Sequence, residues 1–196
     1  MKIVDVFRVG ILTYNVSNKI ANDIENLVVP RLNFLNSNAD GLVNTDYHEN
    51  SRIINLDEIP ELVNEIYKCK DFYNKTLNSY HVDKASITHY WVQDYKNNHH
   101  HPRHNHGKSE LSVVYWVRAS ENAGVIKFHN PISYNHFMYG NVDIDKKNSY
   151  NTIDVNIKPQ KGTILMFPGP LDHEVFKGSK DSIRRIFFIY IYISIH

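Results

Sequence analysis

From about Ala85 to its end the chain breaks into short segments: ASITHYWVQDY, LSVVYWV, GVIKFHN, TIDVNI, GTILMFP, HEVFK and IRRIFFIYIYISI. Each is rich in β-branched and aromatic residues, and clusters of Gly, Pro, Asn, Asp and Ser separate them, the signature of consecutive strands. Seven short strands in succession predict a β-barrel or sandwich. The longest apolar run, Ile186 to Ile195, is about half the length a membrane-crossing helix requires. Its β-branched and aromatic content makes it a buried strand.

Before residue 85 only two stretches carry a helical period. Ser17 is placed to cap a helix from Asn18 to about Leu35, with Ile20, Ile24, Leu27 and Val28 on one face. Pro30 threatens it with a kink or a break. Asp57 opens a second helix over 58–77, with an apolar stripe of Ile59, Leu62, Val63, Ile66 and Tyr67 continued by Phe72, Tyr73 and Leu77. Residues 2–14 read as an extended segment that adds to a sheet, Asp40-Gly41 as a turn, and 141–152 as a polar loop. No linker divides the chain. The expectation is one domain over 1–196, with a supporting part (1–84) and a β core (85–196), the helices packed on the outer face of the barrel.

Composition narrows the function classes. Net charge is +1, from 22 basic and 21 acidic residues, and no dense Lys/Arg run appears, so a nucleic-acid partner is not expected. Cys69, the single cysteine, excludes an internal disulfide framework and reads as a small buried apolar residue. The N-terminus lacks a secretory h-region with a cleavage site, so a cytoplasmic protein with no membrane partner is expected (in the host cytoplasm if a phage encodes it).

One stretch carries chemistry. NNHHHPRHNHGKSE places histidines at 99, 100, 101, 104 and 106, directly before the strand LSVVYWV. In an extended segment His104 and His106 point to the same face and could address one ion. A polar loop with incidental histidines explains them locally about as well. His173 is the third candidate, at the start of a strand after the sharp turn Phe167-Pro168-Gly169-Pro170. Arg184 and Arg185 are adjacent on the last strand, so one of them faces inward, where a guanidinium requires an anionic partner such as a ligand carboxylate.

Taken together, W-V-x-x-Y, H-x-H, L-S-V-V-Y-W-V, G-V-I-K-F-H-N-P, P-x-K-G-T-I-L-M-F-P, H-x-V and R-R-I-F-F resemble the Fe(II)/2-oxoglutarate-dependent oxygenases, closest to the prolyl-hydroxylase-like branch of bacteria and phages. The detailed likeness covers about residues 90–190. It implies a mainly β fold with flanking helices, a double-stranded β-helix (a jelly roll, or cupin-like barrel). It also implies Fe(II), 2-oxoglutarate and O2 as cofactor and co-substrates, and hydroxylation of a C–H bond with release of succinate and CO2. By position, His104 is the first iron ligand, His106 stands where the family has aspartate, and His173 is the distal ligand. Arg185 matches the co-substrate arginine, with Arg184 as the alternative. Tyr95, Tyr115 and Trp116 fall near the co-substrate, and Trp91, Trp116 and Phe128 are candidates for the pocket lining. His99 to His101 lie outside the matched register and are expected to be individually dispensable.

The departure at His106 leaves three readings: His106 ligates, a carboxylate such as Glu110 or Asp94 replaces it, or catalysis is lost. Two rivals remain. His104, His106 and Glu110 also have the spacing of a first cupin motif, which would make the protein a cupin-type metalloenzyme for a small molecule without 2-oxoglutarate. The other rival is a non-catalytic barrel that binds a ligand. The substrate, peptide or protein (proline first) or small molecule, and the oligomeric state, a homodimer included, are open at this point.

Overall fold

The computed structural model describes residues 9–37, 43–77, 84–95, 99–132, 152–178 and 186–194, the last stretch by backbone path and register. Arg184 and Arg185, residues 2–8 of the first extended segment, the Asp40-Gly41 turn and 141–151 of the polar loop lie outside the described residues.

The first helix, α1 (Asn18–Val28), starts where the Ser17 hydroxyl accepts the Ile20 N–H at 3.3 Å. It buries Ala21, Ile24 and Val28 along one face. The helix expected to reach Leu35 ends at Val28 and tightens into a 3-10 turn, Val29–Phe34, because Pro30 supplies no N–H for the α ladder. The second helix also begins differently from expectation. Asn55, rather than Asp57, is the capping residue: it forms a capping box with Glu58 over the 3-10 turn Leu56–Glu58, and α2 (Pro60–Leu77) follows with proline in its first position. Its buried face holds Leu62, Ile66, Cys69, Lys70 and Tyr73. Burial pushes the Cys69 thiol up to about 11, so it packs as an uncharged residue.

The strands are β1 (Leu12–Asn15), β2 (Asn36–Ser37), β3 (Asn44–Thr45), β4 (Ser86–Tyr95), β5 (His101–His104), β6 (Leu111–Trp116), β7 (Ile126–His129), β8 (Asp154–Ile157), β9 (Thr163–Pro168), β10 (His173–Val175) and β11 (Ile186–Ser194). They form a seven-stranded sheet ordered β1-β9-β6-β11-β4-β3-β2 and a four-stranded sheet ordered β5-β10-β7-β8. Each of these pairings is antiparallel. The strand pattern predicts a barrel or sandwich, and the fold is the mainly β jelly roll that the family resemblance implies. β5 was not foreseen as a strand.

Period-two alternation divides the core between two layers. Val92, Val113, Tyr115, Ile164 and Met166 face the buried sides of α1 and α2. Their neighbours Trp91, Tyr95, Val114, Trp116, Leu165 and Phe167 face the other way and meet Ile126, Phe128 and Val175 of the small sheet. Gly162 opens β9 at φ +78°, where its missing side chain leaves room for the Ala21 methyl. The helices therefore buttress one face of the large sheet, and the space between the two sheets is left for the site.

Candidate metal centre

Three imidazoles come together between the sheets. The candidate ligand nitrogens of His104, His106 and His173 all lie within 4.8 Å of one another. The His104 and His173 rings are 4.3 Å apart, and His106 lies 5.0 Å from each. Strand pairing explains the approach: His173 on β10 sits directly opposite His104 on β5. His106 is set by the turn that follows, its backbone N–H donating to the Gly169 carbonyl at 2.7 Å.

Each of the paired histidines has its tautomer fixed from behind. Nδ1–H of His104 donates to the Pro102 carbonyl at 2.7 Å, and Nδ1–H of His173 donates to the Leu171 carbonyl at 2.9 Å. Their Nε2 atoms are then lone-pair donors, buried and without a hydrogen-bond partner among the described residues. Burying such an atom unpaired is unfavourable, and a metal ion removes the penalty. Burial, helped by the neighbouring imidazoles, drives the His106 pKa down to about 2 and that of His173 to about 3. Burial also lowers His104. All three stay neutral at physiological pH, as imidazole ligands must.

An outer clamp ties the two ligand strands. Arg103 Nε and Nη2 donate to Asp172 Oδ2 at 3.0 and 2.7 Å, and Asn105 Nδ2 donates to Oδ1 at 2.8 Å. Arg103 and Asn105 alternate with the ligand histidines, so the same pleat sends the clamp outward and the imidazoles inward. On the inner side, Phe167 packs edge-on to His173 at 4.9 Å, with Phe128 at 5.6 Å.

Among the described residues the ligand group contains no carboxylate. Asp94 lies on β4 between Gln93 and Tyr95, and those two share the opposite face, joined by a hydrogen bond of 2.9 Å from the Tyr95 hydroxyl to Gln93 Oε1. Glu110 stands outside the group, its carbonyl accepting the Gly169 N–H at 3.1 Å. The cupin reading thereby loses its fourth ligand. Trp116, Trp91 and Phe128 belong to the intersheet layer. Tyr115, expected beside Trp116 near the co-substrate, points instead into the helix-facing layer, because adjacent strand residues face opposite sides. His101, treated as spare, stacks on His104 with ring centroids 3.8 Å apart and planes at 18°.

Comparison with known proteins adds a likeness in sequence and in fold. The family model described as a putative 2OG-Fe(II) oxygenase matches residues 89–188, a segment holding all three histidines. No curated protein matches the chain by sequence. A 2OG-Fe(II) oxygenase family oxidoreductase from Burkholderia pseudomallei superposes with TM-score 0.60 at 12% identity, over 94% of this chain and 84% of that one. A prolyl-4-hydroxylase from Pseudomonas putida gives 0.59 at 10% identity, over 96% and 94%. The non-haem α-ketoglutarate-dependent epimerase SnoN of nogalamycin biosynthesis gives 0.63 at 11% identity, over 96% and 77%. These likenesses establish a shared fold.

Proposed function

The chain belongs to the 2OG-Fe(II) oxygenase family, and from that premise we propose that it holds Fe(II) on His104, His106 and His173 and hydroxylates a C–H bond. In the balanced reaction, substrate C–H, O2 and 2-oxoglutarate give substrate C–OH, succinate and CO2. The observation that carries the reading is the pair of buried Nε2 atoms on His104 and His173, without a hydrogen-bond partner among the described residues and converging with His106 inside the family-matched segment.

The donor set fits the ion: imidazole suits Fe(II), and three ligands leave positions open for exogenous oxygen donors. Bound iron supplies the one-electron and O2 chemistry. The protein's part is placement. Pro102 and Leu171 carbonyls hold two ligand rings in the tautomer that presents Nε2, and Phe128 and Phe167 keep water from the inner side. Arg185, with Arg184 as alternative, is the proposed partner of the distal 2-oxoglutarate carboxylate, and Tyr95 and Trp116 are proposed to border the same pocket. The substrate class proposed first is a peptidyl or protein prolyl side chain, then a free amino acid or small metabolite. That order rests on the prolyl-hydroxylase-like pattern of the sequence.

The test is anaerobic titration of the purified protein with Fe(II), with and without 2-oxoglutarate, read by visible absorption. Stoichiometric Fe(II) uptake and a new absorption band that needs both components are expected. His104→Ala and His173→Ala should abolish uptake, and full metal content in both variants would refute the ligand assignment.

A further inference from the structure

His101 and His104 are three residues apart on one strand, a spacing that normally sends side chains to opposite faces. Here they stack. The pairing with β10 shows why: His173 is opposite His104 and Val175 is opposite His101, so three steps on β5 match two on β10. The extra residue is a bulge, which reverses the alternation and brings both imidazoles to one face. Pro102 lies within it, where its missing N–H disturbs no ladder bond.

The stacked ring is itself anchored. His101 Nδ1 is 3.3 Å from the Tyr95 hydroxyl, whose own proton goes to Gln93 Oε1 at 2.9 Å. A phenol has one proton, so His101 is the donor to Tyr95. Gln93, Tyr95 and His101 thus form a polar chain that runs across the sheet interior and ends on the face of His104.

We propose that His101 is a positioning residue for the metal ligand His104, an inference that rests on the metal-centre reading above. The hydrogen bond from His104 to the Pro102 carbonyl fixes one edge of the ring but leaves its plane free to tilt about that edge. The Nε2 lone pair lies in the ring plane, so tilt carries it off the ion. The parallel imidazole of His101, 3.8 Å away, closes that motion on one side. His101 supplies the flat surface, and Tyr95 and Gln93 hold the surface in place.

Co(II) serves as the probe, because its visible absorption reports ligand number and geometry without turnover. His101→Ala is expected to bind Co(II) about 10- to 100-fold more weakly, with an altered band, as loss of a ligand-orienting partner does elsewhere. His101→Phe keeps a flat ring and should recover most of the affinity and the wild-type band. Tyr95→Phe frees His101 and should weaken binding by less than His101→Ala. If His101→Ala matches wild type in affinity and spectrum while His104→Ala binds nothing, the positioning role is wrong and the metal centre stands. If His101→Phe is as weak as His101→Ala, stacking is not the cause, and the proposal falls. If the wild type takes up no Co(II), the metal centre fails and this inference with it. Should His101→Ala not fold, Tyr95→Phe decides: wild-type binding and a wild-type spectrum in that variant overturn the role.

Discussion

Gly169 and His106 are locked together across the mouth of the barrel. The His106 N–H donates to the Gly169 carbonyl at 2.7 Å, and a Cβ on Gly169 would stand 2.6 Å from the His106 carbonyl oxygen, closer still to Ser109. Both obstacles include backbone, which cannot swing aside. Gly169→Ala is therefore expected to push the 106–109 turn outward and to destabilise the fold by about 1–3 kcal/mol, as overpacking does. Because the turn carries His106, Co(II) affinity should fall together with the melting temperature. A variant with wild-type stability and affinity would show that the turn is not held this way.

Buried neutral histidines make the metal-free protein acid-sensitive. Burial lowers His101 to about 4, His173 to about 3 and His106 to about 2, against about 6.5 in an unfolded chain. The unfolded state then binds protons that the folded state refuses. The stability these residues contribute is fully present above pH ~6.5 and is lost as pH falls below it, by up to about 1.4 kcal/mol per pH unit for each. Urea midpoints of the metal-free protein at pH 7.5, 6.5, 5.5 and 4.5 should be level at first and then decline. His101→Phe removes one titrating group and should flatten the decline.

Much of this arrangement was legible in the chain, for identifiable reasons. β6, β9 and β11 announce themselves through β-branched and aromatic runs bounded by turn residues, so local chemistry and final pairing agree. His104 and His106 were legible as an i, i+2 pair, and His173, 67 positions further on, as a histidine opening a strand after the Phe167-Pro168-Gly169-Pro170 turn. β5 was hidden because His-Pro-Arg-His carries no strand propensity, and its pairing with β10 makes it a strand. The same bulge hid the role of His101, since spacing alone would send it away from His104. Tyr115 shows a different limit: matching a motif gives position along the strand but not which face a residue takes. The helix start at Asn55 was missed because Asp57 looks like the better cap, whereas the reciprocal bond to Glu58 selects Asn55.

Asp46 is a further residue the sequence did not mark. It is 1% exposed, and its carboxylate accepts the Val92 N–H at 2.8 Å and the Ile53 N–H at 2.9 Å. It therefore ties the edge of β4 to the segment leading into α2. Desolvation raises its pKa while both N–H donors oppose that shift, the signature of a carboxylate retained for its hydrogen bonds. Asp46→Ala leaves two buried N–H groups unpaired and should cost about 2–4 kcal/mol. Asp46→Asn, which keeps one acceptor, should cost less. Chemical denaturation of the two variants measures the difference, and equal losses would contradict the hydrogen-bond account.

Arg185 gives the sharpest chemical test of the proposed co-substrate. 2-Oxoglutarate carries a second carboxylate beyond its chelating end, and a carboxylate withdrawn from water needs a permanently charged partner with a fork geometry, which arginine provides. Arg185→Leu removes that partner while keeping an apolar side chain in an apolar segment. Losing a charge-assisted pair of this kind should weaken 2-oxoglutarate binding by about 2–5 kcal/mol, roughly thirtyfold to several thousandfold. Fe(II) or Co(II) binding by the three histidines should be almost unchanged, since neither arginine belongs to the ligand group. The comparison is 2-oxoglutarate affinity and succinate formation in wild type, Arg185→Leu and Arg184→Leu. A loss confined to Arg184→Leu would transfer the role by one residue and leave the co-substrate assignment standing. Indifference to both substitutions would mean that 2-oxoglutarate is not bound through either arginine, and the hydroxylase proposal would lose its co-substrate site.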